Sequence, residues 1–392
     1  MLKFIVSLFV SAASLMSQPL PNDNGYRPAW GLDRIDQRQS TLNDNYTYNL
    51  TGEGVNVYVF DSGITSGHDD FEGRVDAGFS VITDGLGTED CAGHGTHTAS
   101  LVGGKTYGVA KKVRLIPVRV LNCNNSNSSS ATLYPAIDWI IEHHKPATPA
   151  VVNMSVGMPK SEAFNEAVRR LIADGLIVVG AAGNQSKDAC LYSPASEPSI
   201  ISVGGTDKTD LRGTQSNFGS CVDLFAPGWD LVGAWTGGAS VYRSSSGTSN
   251  AAPIVSGIAA LMLQENPTLT QSQVEANLKS TATAGALFNI GAGSPNLLAY
   301  SHFAAQQVVP TTTTIVTTTT TVPVAPVPTP VVTTTTVVQN VTTTTAAPQP
   351  QQLELSCSNP AERTRFYGVP YVCVNTGNQL MWIPQRYSPG RP

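Results

Sequence analysis

Four short runs of nearly uninterrupted apolar residues stand out: VNVYVF (Val55–Phe60), VRLIPVRV (Val113–Val120), AVVNMSV (Ala150–Val156) and LIVVGAA (Leu176–Ala182). Runs of this length and kind suit strands covered on both faces. Between and after them the apolar positions change to helical spacing, over Thr132–His144, Glu162–Asp174 and Ala251–Glu265. Strand–helix alternation predicts an α/β fold of three layers, a mostly parallel central sheet with helices on both sides. In such sheets reactive side chains gather at the carboxyl ends of the strands.

The pattern changes at both ends of the chain. Met1–Ser17 has one lysine, an apolar run and a small-residue exit, the pattern of a secretory leader. That run is too short to span a bilayer, which takes about 20 residues, and no later segment is long and apolar enough. Residues 24–307 have the mixed composition of a globular domain. Residues 308–350 are almost all Thr, Val, Pro and Ala with no charge, so they have no face with which to build a core and are expected to form a disordered stalk. Residues 351–392 regain aromatics and two cysteines. A module this small is expected to need a Cys357–Cys373 bridge.

Composition narrows the partners. Only 13% of the 392 residues are charged and the net charge is −5, with no basic block. Nucleic acid is therefore not an expected partner. The six cysteines, Cys91, Cys123, Cys190, Cys221, Cys357 and Cys373, form an even set behind a leader, which favours disulfides in an extracellular protein. Composition alone leaves their pairing open.

Four polar residues fall at strand exits or helix entrances: Asp61 in DSG, His94 in AGHGTH, Asn184 in AAGN and Ser249 in SGTSNAAP. Each alone has an ordinary reading, as a turn residue, a structural histidine or a helix cap. Together they carry more. Serine is a poor nucleophile until a base takes its proton, and the base needs an acid to orient it. Cys91, His94 and His97 also make a C-x₂-H-x₂-H string, but no second ligand cluster accompanies it and no zinc is expected.

The order Asp, His, Ser within DSG, GHGTH and SGTS resembles the subtilisin-like serine proteases, and most the proteinase K branch. Further matching stretches are WGLDRIDQR, YGVAKKV, VNMSVG, YSPASEPSI, SNFGSCVDLFAPG and GSPNLLAY, so that the resemblance covers about residues 30–300. It implies the subtilisin-like fold and a serine endopeptidase with Asp61, His94 and Ser249 as the triad. Asn184 and the Ser249 N–H would form the oxyanion hole. Ser155, Val156 and Gly157 would be the strand that pairs with a peptide substrate. The resemblance further implies the disulfides Cys91–Cys123 and Cys190–Cys221. It implies structural calcium at two places: Asp223 with the carbonyls of Pro198 and Ile200, and Asp33, Asp36 and Gln37 with Asn43 and Asn45.

Departures from the family pattern limit what carries over. Asn250 stands where the family has Met, Ile254 where it has His, and Asn122–Asn127 where it has a glycine-rich substrate edge. Met158-Pro159 likewise replaces glycine. The match starts at Trp30, barely past the leader, so folding is expected to proceed unaided or with help from another chain. Two functions stand against each other: a secreted, monomeric protease acting on proteins or peptides, and a non-catalytic surface or adhesion protein on a protease-like scaffold. The complete set of four residues favours the protease. The C-terminal module resembles small extracytoplasmic modules of secreted bacterial proteins, which leaves either cell-wall contact or a simple cap on the chain as its expected role.

Overall fold

The computed structural model describes residues 15–21, 29–126 and 130–302, and the backbone of three later strands. Chain contacts divide it into two units, Met1–Thr311 and Thr312–Pro392.

In the first unit the elements follow as β1 (Met16–Pro19), α1 (Trp30–Ile35), β2 (Asn45–Tyr48), β3 (Asn56–Asp61), β4 (Phe79–Ser80), α2 (His94–Gly103), β5 (Arg114–Arg119), α3 (Tyr134–His143), β6 (Ala150–Met154), β7 (Met158–Pro159), α4 (Glu162–Ala173), β8 (Ile177–Ala181), β9 (Tyr192–Ser193), β10 (Ile201–Thr206), β11 (Leu224–Pro227), β12 (Leu231–Ala234), β13 (Tyr242–Ser245), α5 (Thr248–Glu265), α6 (Gln271–Thr281), β14 (Thr283–Ala284) and β15 (Leu297–Leu298). The nine-stranded sheet has the order β14-β15-β11-β10-β8-β6-β3-β5-β4. Its pairings are parallel except β14 with β15.

The four apolar runs are four of these strands, and they are buried on both sides as their composition requires. Successive side chains of a strand point to opposite faces. Val57 and Val59 enter a core with α2 and α5, while Tyr58 and Phe60 enter a second core with α3 and α4. Each such side chain taken from water stabilises the fold by about 1.5–3 kcal/mol. Helix α5 is apolar nearly all round and sits wholly inside, buried from Thr248 to Leu263 apart from Ser249. Such a pattern belongs to an internal helix rather than a surface one. The predicted three layers are therefore present.

The expected leader meets the described residues at its end. Strand β1 begins at Met16, so Met16 and Ser17 lie opposite Tyr48 and Thr47 of β2. Residues 1–14 and the whole stalk, 308–350, lie outside the described residues.

In the second unit β16 (Arg363–Phe366), β17 (Val369–Asn375) and β18 (Leu380–Pro384) form an antiparallel sheet of order β16-β17-β18. Cys357 lies outside the described residues, and with it the expected Cys357–Cys373 bridge.

Candidate active site

Strand β3 has β5 on one side and β6 on the other. The chain crosses from β3 to β5 in one direction and then returns to the far side of β3 for β6. This reversal opens a crevice at the carboxyl end of β3, the usual ligand site of a parallel sheet. Asp61 is the last residue of β3 and fully buried. A buried carboxylate needs donors. Asp61 Oδ1 accepts from the Ser62 N–H at 2.7 Å and faces His94 Nδ1 at 2.7 Å, while Oδ2 accepts from Thr98 Oγ1 at 3.2 Å.

His94 opens α2, with its side chain 22% exposed. A carboxylate can only accept, so Nδ1 carries the proton and Nε2 is left as the basic nitrogen. Burial alone would lower the imidazole pKa. The charge and hydrogen bond of Asp61, and the charge of Asp90, outweigh it and hold the pKa above the ordinary histidine value. The turn leading to His94 is tied to Asp90, whose Oδ1 accepts from Ser62 Oγ (2.9 Å), Ala92 N (2.8 Å) and Gly93 N (2.9 Å). Its Oδ2 accepts from Thr96 N (2.9 Å) and Thr96 Oγ1 (2.7 Å). Gly93 allows this turn: its φ is +92°, and a Cβ there would lie 2.1 Å from the Trp235 ring.

Ser249 is the second residue of α5, one position before the helix is shut away from solvent. The first N–H groups of a helix have no partner within it and carry a partial positive charge. The Thr248 N–H is taken by Asn184 Oδ1 at 2.9 Å. A backbone N–H can only donate, so this contact fixes the amide: Oδ1 faces α5, and Nδ2 is the donor left over. The Thr248 hydroxyl repeats the contact at 2.9 Å and accepts from Gly183 N at 3.1 Å. Ser249 Oγ itself donates to the carbonyl of Ser155 at 3.3 Å.

Ser155, Val156 and Gly157 run out of β6 toward β7, and among the described residues no strand pairs with them. Ser155 is buried, and its Oγ donates to the Ser249 carbonyl at 2.8 Å. The loop after β5 folds on itself. Asn122 Oδ1 accepts from Asn124 N at 2.9 Å and Ser126 Oγ at 3.1 Å. Cys123 in this loop is bonded to Cys91, and Cys190 to Cys221, as the resemblance implied.

Asp90, Thr98 and Thr248 are absent from the sequence reading. Asp90 left one signal there, an acidic residue four positions ahead of a glycine-flanked histidine. The other two are visible only through their partners. His97 is buried, with Nε2 3.1 Å from the Leu231 carbonyl, and burial pushes its pKa down to about 4. His144 is buried between Asp174 Oδ2 (2.8 Å) and the Thr148 carbonyl (3.2 Å). The helix it follows ends against α4, which covers it. Asn250 is buried, and its Nδ2 donates to the Gly228 carbonyl at 3.2 Å.

The two candidate calcium sites differ. Asp33 and Asp36 are both buried at the end of α1. Asp33 Oδ1 and Oδ2 accept from Asn43 N (3.1 Å) and Asp44 N (2.6 Å), and Asn43 Nδ2 donates to Gln37 Oε1 at 2.9 Å. Asn45 N in turn donates to Asn43 Oδ1 at 3.0 Å. Asp36 Oδ2 accepts from Thr47 N at 2.5 Å, but Oδ1 is buried with no hydrogen-bond partner. Burial pushes the Asp36 pKa up to about 6, opposed by the Thr47 N–H and aided by the charge of Asp33. Two close buried carboxylates with an orphaned oxygen fit a hard cation. Asp223 does not. Its Oδ1 pairs with Lys279 Nζ at 2.7 Å and its Oδ2 accepts from Ser202 N at 2.8 Å. The ammonium already supplies the positive charge there, and Pro198 and Ile200 stand just ahead of β10. As for zinc, Cys91 has no thiolate to offer, since its sulfur is in the disulfide.

Similarities to known proteins agree with this geometry. A model of the subtilase family, peptidase S8, matches residues 52–295. An extracellular serine proteinase of Thermus sp. (strain Rt41A) is 50% identical over 274 residues, covering 70% of this chain and 66% of the relative. Alkaline serine exoprotease A of Vibrio alginolyticus is 46% identical over 272 residues, covering 69% of this chain and 50% of the relative. The chain thus spans between half and about two thirds of the length of these curated relatives. The crystal structure of a cold adapted subtilisin-like serine proteinase matches with a TM-score of 0.67 at 44% identity, covering 70% of this chain and 98% of that one. The matched segment runs from just before β3 to the turn before β15 and includes all four polar residues of the crevice, and the chain belongs to the subtilase family.

Proposed function

We propose that the protein is a secreted serine endopeptidase that cuts peptide bonds through Asp61, His94 and Ser249 by way of an acyl-enzyme. The observation that carries this reading is the 2.7 Å Asp61–His94 contact at the crevice of a subtilase sheet, where the oriented imidazole offers Nε2 as a base. Ser249 Oγ attacks the carbonyl carbon of the substrate and its proton passes to His94 Nε2. Asp61 stabilises the imidazolium without taking its proton. The developing oxyanion accepts from Asn184 Nδ2 and the Ser249 N–H, at the positive end of α5. His94 then protonates the leaving amine. Water, deprotonated by the same imidazole, cleaves the acyl-enzyme and returns Ser249. The extended segment Ser155–Gly157 receives the substrate backbone as an added strand.

Calcium, when bound by Asp33, Asp36 and Gln37 with Asn43 and Asn45, would neutralise the paired carboxylates and stabilise the folded state. Asp223 is left out of this set because it already pairs with Lys279. Secretion is supported by the leader pattern and the two disulfides. Digestion of an unfolded protein tests the function. Wild type is expected to cut internal bonds, Ser249→Ala to leave the substrate intact, and Asn184→Ala to lose about 10²–10³ in rate. An inert wild type, or a Ser249→Ala variant that cuts as fast, would refute the reading.

A further inference from the structure

Helix α5 contains a proline at position 253. In an α-helix the carbonyl of each residue accepts from the N–H four residues on. Proline has no N–H. The carbonyl that Pro253 leaves without its helical partner is that of Ser249, the nucleophile. It is nevertheless satisfied, because Ser155 Oγ donates to it at 2.8 Å.

That hydroxyl is itself held in one orientation. A carbonyl can only accept, so the Ser155 proton points at Ser249, and the Ser155 oxygen is free to accept. Asn153 Nδ2 donates to it at 3.0 Å. The Asn153 amide is thereby oriented with Oδ1 toward Ser256, whose Oγ donates to it at 3.0 Å. Asn153, Ser155 and Ser256 are all buried. The chain of bonds thus starts on α5 at Ser256, crosses to β6 and its exit, and returns to α5 at Ser249. Ser249 and Ser256 are two helical turns apart on one face.

We propose that the Ser155 hydroxyl is a positioning group for the nucleophile, supplying the hydrogen bond that Pro253 denies to Ser249. It holds the Ser249 backbone from its carbonyl side, as Asn184 Oδ1 holds the preceding residue through the Thr248 N–H. The proline makes the nucleophile's backbone depend on the substrate strand instead of on its own helix. This assignment rests on the protease reading.

A double-mutant cycle tests it. Ser155→Ala, Pro253→Ala and the double variant are compared with wild type in kcat and KM on a chromogenic peptide, and in melting temperature. Ser155→Ala alone is expected to lower kcat by about tenfold or more, with KM changed by less than about twofold. In the Pro253→Ala background the residue 253 N–H can reach the Ser249 carbonyl. The same substitution there is expected to cost less than about threefold. Ser155→Thr, which keeps the donor, is expected to recover most of kcat. Equal losses of kcat in both backgrounds overturn the proposal. So does a loss confined to melting temperature, or a folded Ser155→Thr as slow as Ser155→Ala. A wild type that turns over no peptide refutes the protease reading, and the positioning role falls with it.

Discussion

Five donors converge on the Asp90 carboxylate, and all of them come from the turn after β3 or from the entrance and first turn of α2, next to Asp61 and His94. Its charge also reaches the His94 imidazole. Protonated His94 cannot accept the serine proton, so the acid limb of kcat/KM follows the His94 pKa. Burial lowers that pKa, but Asp61 and then Asp90 raise it further, so the limb is expected above the ordinary histidine value. Asp90→Asn removes one anion and should move the limb to lower pH, which a pH profile of kcat/KM reads directly. A limb that stays fixed or rises contradicts this electrostatic account. The linkage has a matching sign: the Asp61–His94 interaction adds stability below the unfolded-state pKa and loses it as pH rises through the folded one. Asn250 poses a different question, because its amide is already satisfied by Gly228. The Gly228 carbonyl also accepts from Gly247 N at 2.8 Å, so losing the Asn250 amide leaves it paired. Asn250→Met would place an oxidisable thioether beside the nucleophile. The variant should lose activity in peroxide faster than wild type; equal decay would remove oxidation tolerance as a consequence of Asn250. At this scale the motifs located Asp61, His94, Asn184 and Ser249, because each sits at a fixed offset from a strand or helix end. Asp90, Thr98 and Thr248 were not legible, because their roles are hydrogen bonds to residues distant in sequence or hidden in a turn.

The strands that are long apolar runs were readable, β8 with its Gly180 included, and the short, polar or glycine-rich ones were not. Strand β10, ISVGGT, passes so close to its neighbour that a Cβ on Gly204 would lie 2.4 Å from the Phe225 ring. Glycine is demanded there by packing, and it erases the strand signal in the sequence. Helix α5 starts at Thr248, three residues before the first position that looked helical, because its polar first turn serves the site. At the Asp223 candidate site an element supplies a positive charge of its own. Helix α6 brings Lys279 to Asp223 of the turn before β11, and Glu275 one turn earlier holds the same ammonium at 2.5 Å. No motif could show this, since Lys279 and Asp223 are distant in sequence. The stabilising effect of calcium should therefore pass through α1 and not through α6. Melting temperature is expected to rise by several degrees on adding calcium to wild type and to Asp223→Asn, and to stay flat in Asp36→Asn. A calcium response lost in Asp223→Asn and kept in Asp36→Asn would reverse the assignment.

For the whole molecule, the sheet, the cores on its two faces and the crevice at β3 follow from the alternation of strands and helices, and the alternation was plain in the sequence. The pairing of the first four cysteines came from the family resemblance and matches the two disulfides of the first unit. Each constrains the unfolded chain and is worth about 2–4 kcal/mol. Cys91–Cys123 ties the turn before α2, which opens on His94, to the loop after β5. The three antiparallel strands of the second unit give the tail a sheet of its own, to which the expected cell-wall contact would belong. The central claim is that Ser249 is an activated nucleophile. A fluorophosphonate probe, followed by intact mass and peptide mapping, addresses it most directly. The account predicts a single adduct on Ser249, absent from Ser249→Ala and formed far more slowly in His94→Ala. A folded wild type that stays unlabelled, or an adduct on any other serine, would contradict it.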